Sequence, residues 1–346
     1  MPAKPPRIAR AAVLAVAVLV SACGRPGSVV LGVSTNQVFV QAARLALEQE
    51  LGGGGLPRID TVLVVESTNR AAPAIERADS LVAVPGMVAG VGQSTSSASL
   101  AAAPLYHVGA YSFSLLPPDD RQGEYLARYL EGALPGGGRV AVLYVNDDYG
   151  RGLHDALVAD LDTTRFNIVV DLPHVEDDVQ PAEIEETAAS LAAERPDVLV
   201  WLARGAILDR YIDPIRAALP RVLIVGSDAV GARGVTMPDN PRWRGVRHVA
   251  FVDMDAAPLQ PFRRAFRARF GVDATGACAL TYDAVGVLLA GIRAGARTGP
   301  EMRSYLASLG RERPAYQGIT GPIAFDEDGN VQRSYVMVPV NPAESP

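Results

Sequence analysis

Short apolar runs alternate with amphipathic stretches along most of the chain, and this alternation predicts β-strands joined by α-helices. The strand candidates are almost continuously apolar, which is typical of parallel strands covered on both faces. The helix candidates repeat apolar residues three and four positions apart. Predicted strands cover residues 29–33, 61–65, 87–91, 139–145, 168–171, 198–201 and 222–225. Predicted helices cover 39–50, 98–105, 181–194, 206–218, 258–270 and 277–294, with others opening near Pro73 and after the polar segment 146–150.

A proline-rich break divides the alternation into two series. Pro117 and Pro118 precede Asp119 and Asp120, and a second strand–helix series starts beyond them. Two such series predict two doubly wound α/β lobes. Near the end, the acidic cluster 326–330 lies between runs 323–325 and 335–340. It lacks the length and the closing Glu of a calcium loop, so it predicts a strand-connecting turn.

The first 23 residues have the pattern of an export signal. Lys4, Arg7 and Arg10 precede an apolar run over 11–20, which ends in small residues and Cys23. Charge, apolar run and small residues in this order are typical of a secretory signal. The ending resembles a bacterial lipobox, which implies that 1–22 are removed and that lipid on Cys23 tethers the protein to a membrane. The alternative is an ordinary signal peptide with an incidental cysteine.

Charge and cysteine content argue against a nucleic-acid-binding protein and against a disulfide-stabilised one. The 346 residues carry a net charge of −6, and removing the three basic residues of the signal takes this to −9. An acidic body argues against nucleic acid as a partner. Cys278 has no cysteine partner once Cys23 is lipidated, so we expect no disulfide and a buried, inert thiol.

Catalytic and metal-binding motifs are missing from the sequence. None of the four histidines has metal-ligand spacing to another His or Cys, and no serine lies in a Gly-x-Ser-x-Gly elbow. The glycine-rich runs at 52–55 and 136–138 lack the Lys-Ser/Thr of a phosphate loop. The sequence therefore predicts no catalytic residue, no metal and no cofactor.

Polar residues gather where predicted strands end, which is where open α/β sheets bind ligands. Ser94 and Thr95 follow the third strand, and their hydroxyls either hold a ligand carboxylate or cap the next helix. Asp228 either pairs with a ligand cation or forms a turn. Tyr149 either stacks on a ligand or packs under its own helix, and Arg204 either faces a ligand or pairs with nearby acids.

Three segments together resemble one family. They are Arg-Val-Ala-Val-Leu-Tyr-Val-Asn-Asp-Asp-Tyr-Gly at 139–150, Leu-Thr-Tyr-Asp-Ala-Val at 280–285 and Gly-Ile-Thr-Gly-Pro-Ile-Ala-Phe-Asp at 318–326. With the lipobox, they are similar to the periplasmic Leu/Ile/Val-binding type of solute-binding protein. The resemblance implies the type I periplasmic binding fold, with three crossings near Pro117, Phe251 and Phe325. Lobe 1 would then comprise 28–116 plus 253–324, and lobe 2 would comprise 117–252 plus 325–346.

The resemblance also implies roles for single residues. Ser94 corresponds to the residue that holds an amino acid's carboxylate, Tyr149 to an aromatic on the facing lobe, and Asp228 to the acid that pairs the ammonium. Arg204 stands where the family often has an aromatic residue. Two further departures concern lobe 1: the loop 34–37 is short, and the family's fourth strand is missing before residue 113.

The function implied is that of a substrate-binding lipoprotein of an ABC-type importer. It would bind a small polar solute, such as an amino acid, a small peptide or a related carboxylate, between the lobes, and deliver it to an ABC permease. The protein would be exported and lipid-anchored in the bacterial cell envelope. The alternative is an envelope-tethered sensor or regulatory protein of the same fold, in which the altered cleft no longer binds a solute.

Overall fold

The computed structural model describes residues 29–52, 59–65, 71–93, 95–106, 112–174, 179–231 and 241–340. The predicted signal peptide, its Cys23, and Ser94 lie outside these ranges. The strands are β1 (Val29–Thr35), β2 (Ile59–Val65), β3 (Met87–Val91), β4 (Gly138–Val145), β5 (Phe166–His174), β6 (Val198–Leu202), β7 (Leu223–Gly226), β8 (Val246–Ala250), β9 (Tyr316–Gly318), β10 (Gly321–Ile323) and β11 (Val336–Pro339).

Helices connect most of these strands. They are α1 (Gln37–Leu51), α2 (Ala71–Val82), α3 (Ser96–Ala102), α4 (Asp119–Ala133), α5 (Asp148–Asp160), α6 (Pro181–Glu194), α7 (Gly205–Ala218), α8 (Gln260–Phe270), α9 (Gly276–Arg293) and α10 (Gly299–Ser308). Alternation of parallel strands and helices confirms the predicted α/β class.

The first sheet is small and parallel. Its order within the described residues is β2-β1-β3, so the described part contains no fourth strand in this sheet. A tight turn joins β1 to α1, because the Asn36 side chain accepts hydrogen bonds from the amides of Val38 and Phe39, both at 3.1 Å. The core of this sheet combines early and late parts of the chain: Val33 and Val40 pack with Leu289 and Ile323.

The second sheet has six strands in the order β11-β8-β7-β6-β4-β5. Strands β4 to β8 are parallel, and β11 adds to β8 in the antiparallel direction, pairing Val336 with Ala250. Both faces are covered by apolar side chains, with Trp201 in one core and Val200 in the other. The continuous burial of β6 matches its apolar sequence.

The end of the chain differs from the sequence expectation. Runs 323–325 and 335–340 flank the acidic turn but do not pair with each other, since β10 pairs with β9 and β11 pairs with β8. The turn itself forms as predicted: the Asp326 carboxylate accepts the amides of Asp328 and Asn330 at 3.1 and 2.8 Å. The sequence reasoning also missed α4, α10, β8 and β9.

Two of the segments that carried the family resemblance are held together by one buried carboxylate. Asp283 of α9 is 1% exposed, and it accepts hydrogen bonds from the amides of Ile319 and Thr320 at 2.8 and 2.9 Å. Arg333 donates to the Thr320 carbonyl and hydroxyl, both at 2.9 Å. A side chain at Gly318 would collide with the Asp283 carboxylate. These contacts between Asp283, Ile319 and Thr320 form a clamp that fixes the β9–β10 hairpin on α9.

Among the described residues, one helix, α9, is long enough and apolar enough to cross a membrane. Its mean hydropathy is 1.3, but 61% of it is buried inside the protein. Its buried face includes Cys278, a free thiol with no exposed surface. This burial raises the pKa of the Cys278 thiol, as expected for an unreactive cysteine.

Both sheets draw on separated parts of the chain. The second sheet takes its strands from 138–250 and 336–339, and the first core combines residues 29–88 with residues 285–325. Near the crossings predicted at Pro117 and Phe325, Phe113 packs edge-on against Phe325 at 5.0 Å between ring centroids. The lobe boundaries at 116/117, 252/253 and 324/325 stay a prediction.

Candidate functional site

A buried hydrogen-bond network lies where β7 ends and α4 begins. The Tyr149 hydroxyl donates to Asp228 Oδ1 at 2.6 Å, and Gln122 Nε2 donates to the same oxygen at 2.9 Å. The Gln122 Oε1 accepts the Asp228 amide at 2.9 Å, so Gln122 holds this residue at both its backbone and its side chain. Three distant parts of the chain therefore meet at one carboxylate, as expected for a ligand site at the carboxyl ends of parallel strands.

Local structure explains these positions. Asp147 caps α5 by accepting the Gly150 amide at 2.9 Å, which puts Tyr149 in the first turn. Gly150 must be a glycine because a side chain there would collide with the Val145 carbonyl. Asp228 opens a single 3-10 turn directly after β7. Burial raises the pKa of Asp228, whereas the hydrogen bonds from Tyr149 and Gln122 oppose that rise.

A second carboxyl group faces this network. Asp119 is the first residue of α4, three positions before Gln122, so both lie on the same face of the helix. Burial, followed by the nearby Asp228 carboxylate, raises the pKa of Asp119 to about 6. Hydrogen bonding with the hydroxyl of Ser96, at the start of α3, opposes that rise. Asp119 thus stands between the network and the helix that follows β3.

Two ring side chains, those of Tyr335 and His248, lie near the network. Tyr335 donates to the Pro118 carbonyl at 3.0 Å, and burial together with Asp228 and Asp119 holds its pKa well above the usual range. His248 donates its Nδ1–H to the Val249 carbonyl at 2.8 Å, and burial lowers the pKa of its ring.

One buried hydroxyl is left without a normal hydrogen bond. Ser227 has no exposed surface, and within the described part of the chain its Oγ has no partner of acceptable geometry. The hydroxyl lies near the Tyr149 phenol, close enough to oppose the rise that burial causes in the pKa of that phenol. Ser227 therefore lies beside the network, on the side of the Tyr149 phenol.

The structure describes one of the two hydroxyl residues that the sequence placed at the end of β3. Ser94 lies outside the described residues. Thr95 is the N-cap of α3, and its Oγ1 accepts the Ala98 amide at 3.2 Å, which is the capping interpretation. A ligand contact by either residue stays a prediction.

The structure shows the contacts of three residues for which the sequence left a ligand-binding and a structural interpretation open: Tyr149, Arg204 and Asp228. Tyr149 packs against both cores of the second sheet and uses its hydroxyl on Asp228. The Asp228 carboxylate accepts hydrogen bonds from side chains 79 and 106 residues away, and a local hydrogen bond from the Ala229 backbone also opposes the rise in its pKa. Arg204 begins α7, where its carbonyl accepts the Trp201 indole N–H at 3.4 Å. Their roles toward a ligand stay predictions.

The sequence reasoning missed Asp119 and Gln122. It looked for polar residues after strands, and both lie instead in the first turn of a helix that follows the proline-rich break. The available signal was the acidic pair at 119–120 ahead of an amphipathic stretch, which is typical of a helix N-terminus. Among the described residues, no group of three or more His, Cys, Asp or Glu side chains is placed to hold a metal ion.

Comparison with known proteins identifies the family of this chain. A family model described as periplasmic binding protein matches residues 30–345. No match was found among curated protein sequences.

Many solved structures share the fold at low sequence identity. A branched-chain amino acid transporter substrate-binding protein from Streptococcus pneumoniae, in complex with isoleucine, is 20% identical, with a TM-score of 0.78 over 91% of this chain and 96% of that one. A solute-binding protein from R. palustris, in complex with benzoate, is 17% identical, with a TM-score of 0.76 over 91% and 94%. A leucine-binding protein from Thermotoga maritima is 18% identical, with a TM-score of 0.75 over 91% and 96%.

Proposed function

The chain belongs to the periplasmic binding protein family, with the type I fold, and from this premise we propose that it is the substrate-binding component of an ABC-type importer. It holds a small polar solute of the amino acid, peptide or carboxylate class between its two sheets. The observation that carries the proposal is the network of Asp228, Tyr149 and Gln122 at the carboxyl ends of the second sheet. Such a network keeps a carboxylate in a fixed position, ready for a ligand.

The side-chain hydrogen bonds of Asp228 support a ligand contact at its second carboxylate oxygen. Both side-chain donors use Oδ1, and no described side chain donates to Oδ2. An ammonium group at Oδ2 would compensate a carboxylate whose burial is otherwise costly. The ligand would then stabilise the native state in proportion to its binding, and would favour a closed arrangement if it contacts both sheets.

The test is thermal unfolding of the purified full chain in detergent against a panel of amino acids, small peptides, amines and benzoate. A ligand at roughly a hundredfold its Kd should stabilise the protein by about 2.7 kcal/mol. The Asp228→Asn variant should weaken binding by at least about tenfold, because the amide cannot compensate a ligand cation. Asp160→Asn, on the exposed end of α5, is the matched control and should bind like the wild type.

The sensor alternative is favoured by one observation. On the first sheet, the side chains of Asn36 and Thr95 are used for helix capping, which leaves fewer groups for a ligand. In that case no member of the panel would raise the melting temperature, and the Asp228→Asn variant would still carry out the protein's role in the envelope.

The location of the protein is part of the proposal. The family is exported, and the sequence around Cys23 resembles a lipobox, so we propose that the protein is anchored to an envelope membrane by lipid on Cys23. An anchored binding protein stays close to its permease, and this raises its effective concentration there.

A further inference from the structure

An uncharged apolar loop is exposed where α2 leads into β3. Its sequence is Val-Ala-Val-Pro-Gly over residues 82–86. Val82, Ala83 and Pro85 are exposed, and the fractional exposure of Val82 is 41%. The turn into β3 is made by Gly86, whose left-handed φ of 79° suits a glycine. The loop therefore presents apolar side chains to water, which is unfavourable unless another surface covers them.

The loop lies at the edge of the first sheet where β1 begins. The amide of Val30, the second residue of β1, donates to the Gly86 carbonyl at 2.9 Å, and Val30 pairs with Met87 of β3. Six residue steps separate Cys23 from Val29, and a fully extended chain of that length spans at most about 22 Å. Lipid on Cys23 would therefore hold this edge of the sheet close to the membrane surface.

A second apolar side chain is exposed at the same edge. Strand β1 has 7 residues and α1 has 15, so each is about 23 Å long, and the tight turn at Asn36 makes α1 return along the sheet. Helix α1 therefore ends level with the start of β1, at Leu51, which is 38% exposed. The neighbouring Glu50 is paired with Arg293 at 2.7 Å. On α2, the exposed Asp79 lies one helical turn further from the edge than Val82.

We propose that the loop 82–86 and Leu51 form a membrane-docking surface, which rests on the lipid bilayer beside the acylated Cys23. The inference rests on the proposed lipid anchor and adds the orientation of the anchored protein. Apolar side chains held this close to a bilayer enter its interfacial region, because that removes their surface from water. The other end of β3 leads to α3, which packs against α5, the helix that carries Tyr149. Docking would therefore leave the Asp228 network on the side away from the membrane.

The test places a nitrobenzoxadiazole dye on the full acylated protein, in phosphatidylethanolamine and phosphatidylglycerol vesicles that carry doxyl-labelled lipid as a quencher. Val82→Cys supplies the labelling site, since lipid blocks Cys23 and Cys278 has no exposed surface. Doxyl lipid should quench the dye at position 82 at least about threefold more strongly than a dye at Leu100→Cys. Leu100 is the matched apolar control, because it is 62% exposed but lies on α3, beyond the opposite end of β3. Ala83→Cys gives the same readout if Val82→Cys does not fold.

Each contrary result has a separate meaning. Equal quenching at the two positions, or none at position 82, on protein that stays on the vesicles overturns the docking surface and leaves the anchor intact. Protein that carries no lipid and leaves the vesicles overturns the anchor, and the docking surface with it. A dye signal at position 82 that follows protein density, and not doxyl lipid, means that a second copy of the chain covers the loop, which overturns the membrane as its partner. Solute binding is measured separately and depends on none of these results.

Discussion

At the residue scale, the site shows how function and stability oppose each other. Asp119 and Asp228 lie in surroundings that disfavour their charge, since burial raises the pKa of both. Binding sites often keep such groups although they destabilise the free protein. The hydrogen bonds from Tyr149 and Gln122 limit this cost at Asp228, and the hydrogen bond with Ser96 limits it at Asp119.

Replacing Asp119 by asparagine should therefore stabilise the free protein at neutral pH. The folded pKa of about 6 lies above the ordinary value of 3.8, so the folded state holds the proton more tightly than the unfolded state. This contribution favours folding below the ordinary value and is lost as the pH rises through 6. We expect Asp119→Asn to raise the free energy of unfolding by up to about 3 kcal/mol at pH 7.5.

Denaturant unfolding at a series of pH values measures the effect. The advantage of Asp119→Asn should shrink steadily as the pH falls from 7.5 towards 4, and Asp160→Asn should show no comparable trend. A variant that is less stable than the wild type at pH 7.5 would mean that the Asp119 carboxylate is compensated in the folded protein.

At the element scale, some boundaries could be read from the sequence and others could not. Helix α6 matches its predicted range because Pro181 starts it and a left-handed Arg195 ends it. Helix α10 was missed although Thr298 caps it and Glu301 lies three residues on, a recognised start signal. Strand β8 was missed because Arg247 and His248 interrupt its apolar pattern. Tertiary pairing with β7 and β11 makes it a strand.

The clamp on the β9–β10 hairpin gives a prediction at this scale. Asp283→Ala would leave the partly buried amides of Ile319 and Thr320 without their acceptor, so we expect it to cost about 3 kcal/mol of stability. Asp273→Ala removes an exposed carboxylate that pairs with Arg267 at 3.0 Å and should cost less than about 0.5 kcal/mol. Denaturant melts compare the two, and equal losses would show that the clamp contributes no special stability.

At the scale of the whole molecule, the family resemblance predicted more of the fold than the hydrophobic periodicity did. Alternating runs predict an α/β class, but the antiparallel addition of β11 to β8 joins strands far apart in the chain, which local patterns do not encode. The position of Asp228 followed from its strand end. Its partner Gln122, 106 residues away, could not be identified without knowing how α4 packs against the second sheet.

The proposed anchor is tested on the complete protein in its bacterial envelope. Cys23→Ser should move the protein from the membrane fraction to the soluble fraction and should abolish incorporation of labelled fatty acid, because acyl chains need the thiol. Cys278→Ser alters the other cysteine, which is buried and free, and should leave both readouts unchanged. A Cys23→Ser protein that still takes up labelled fatty acid and stays with the membrane would contradict the assignment.

The shared core of the first sheet has a consequence for biosynthesis. Its Val33 and Val40 are made early, but their partners Leu289 and Ile323 are made near the end. The second sheet draws five of its six strands from the continuous stretch 138–250, so most of it is available sooner. A nascent chain thus carries β1 and α1 with their apolar faces uncovered until α9 emerges, and exposed surface of this kind is what chaperones bind. The part of the protein that is synthesised first is the part that can finish folding last.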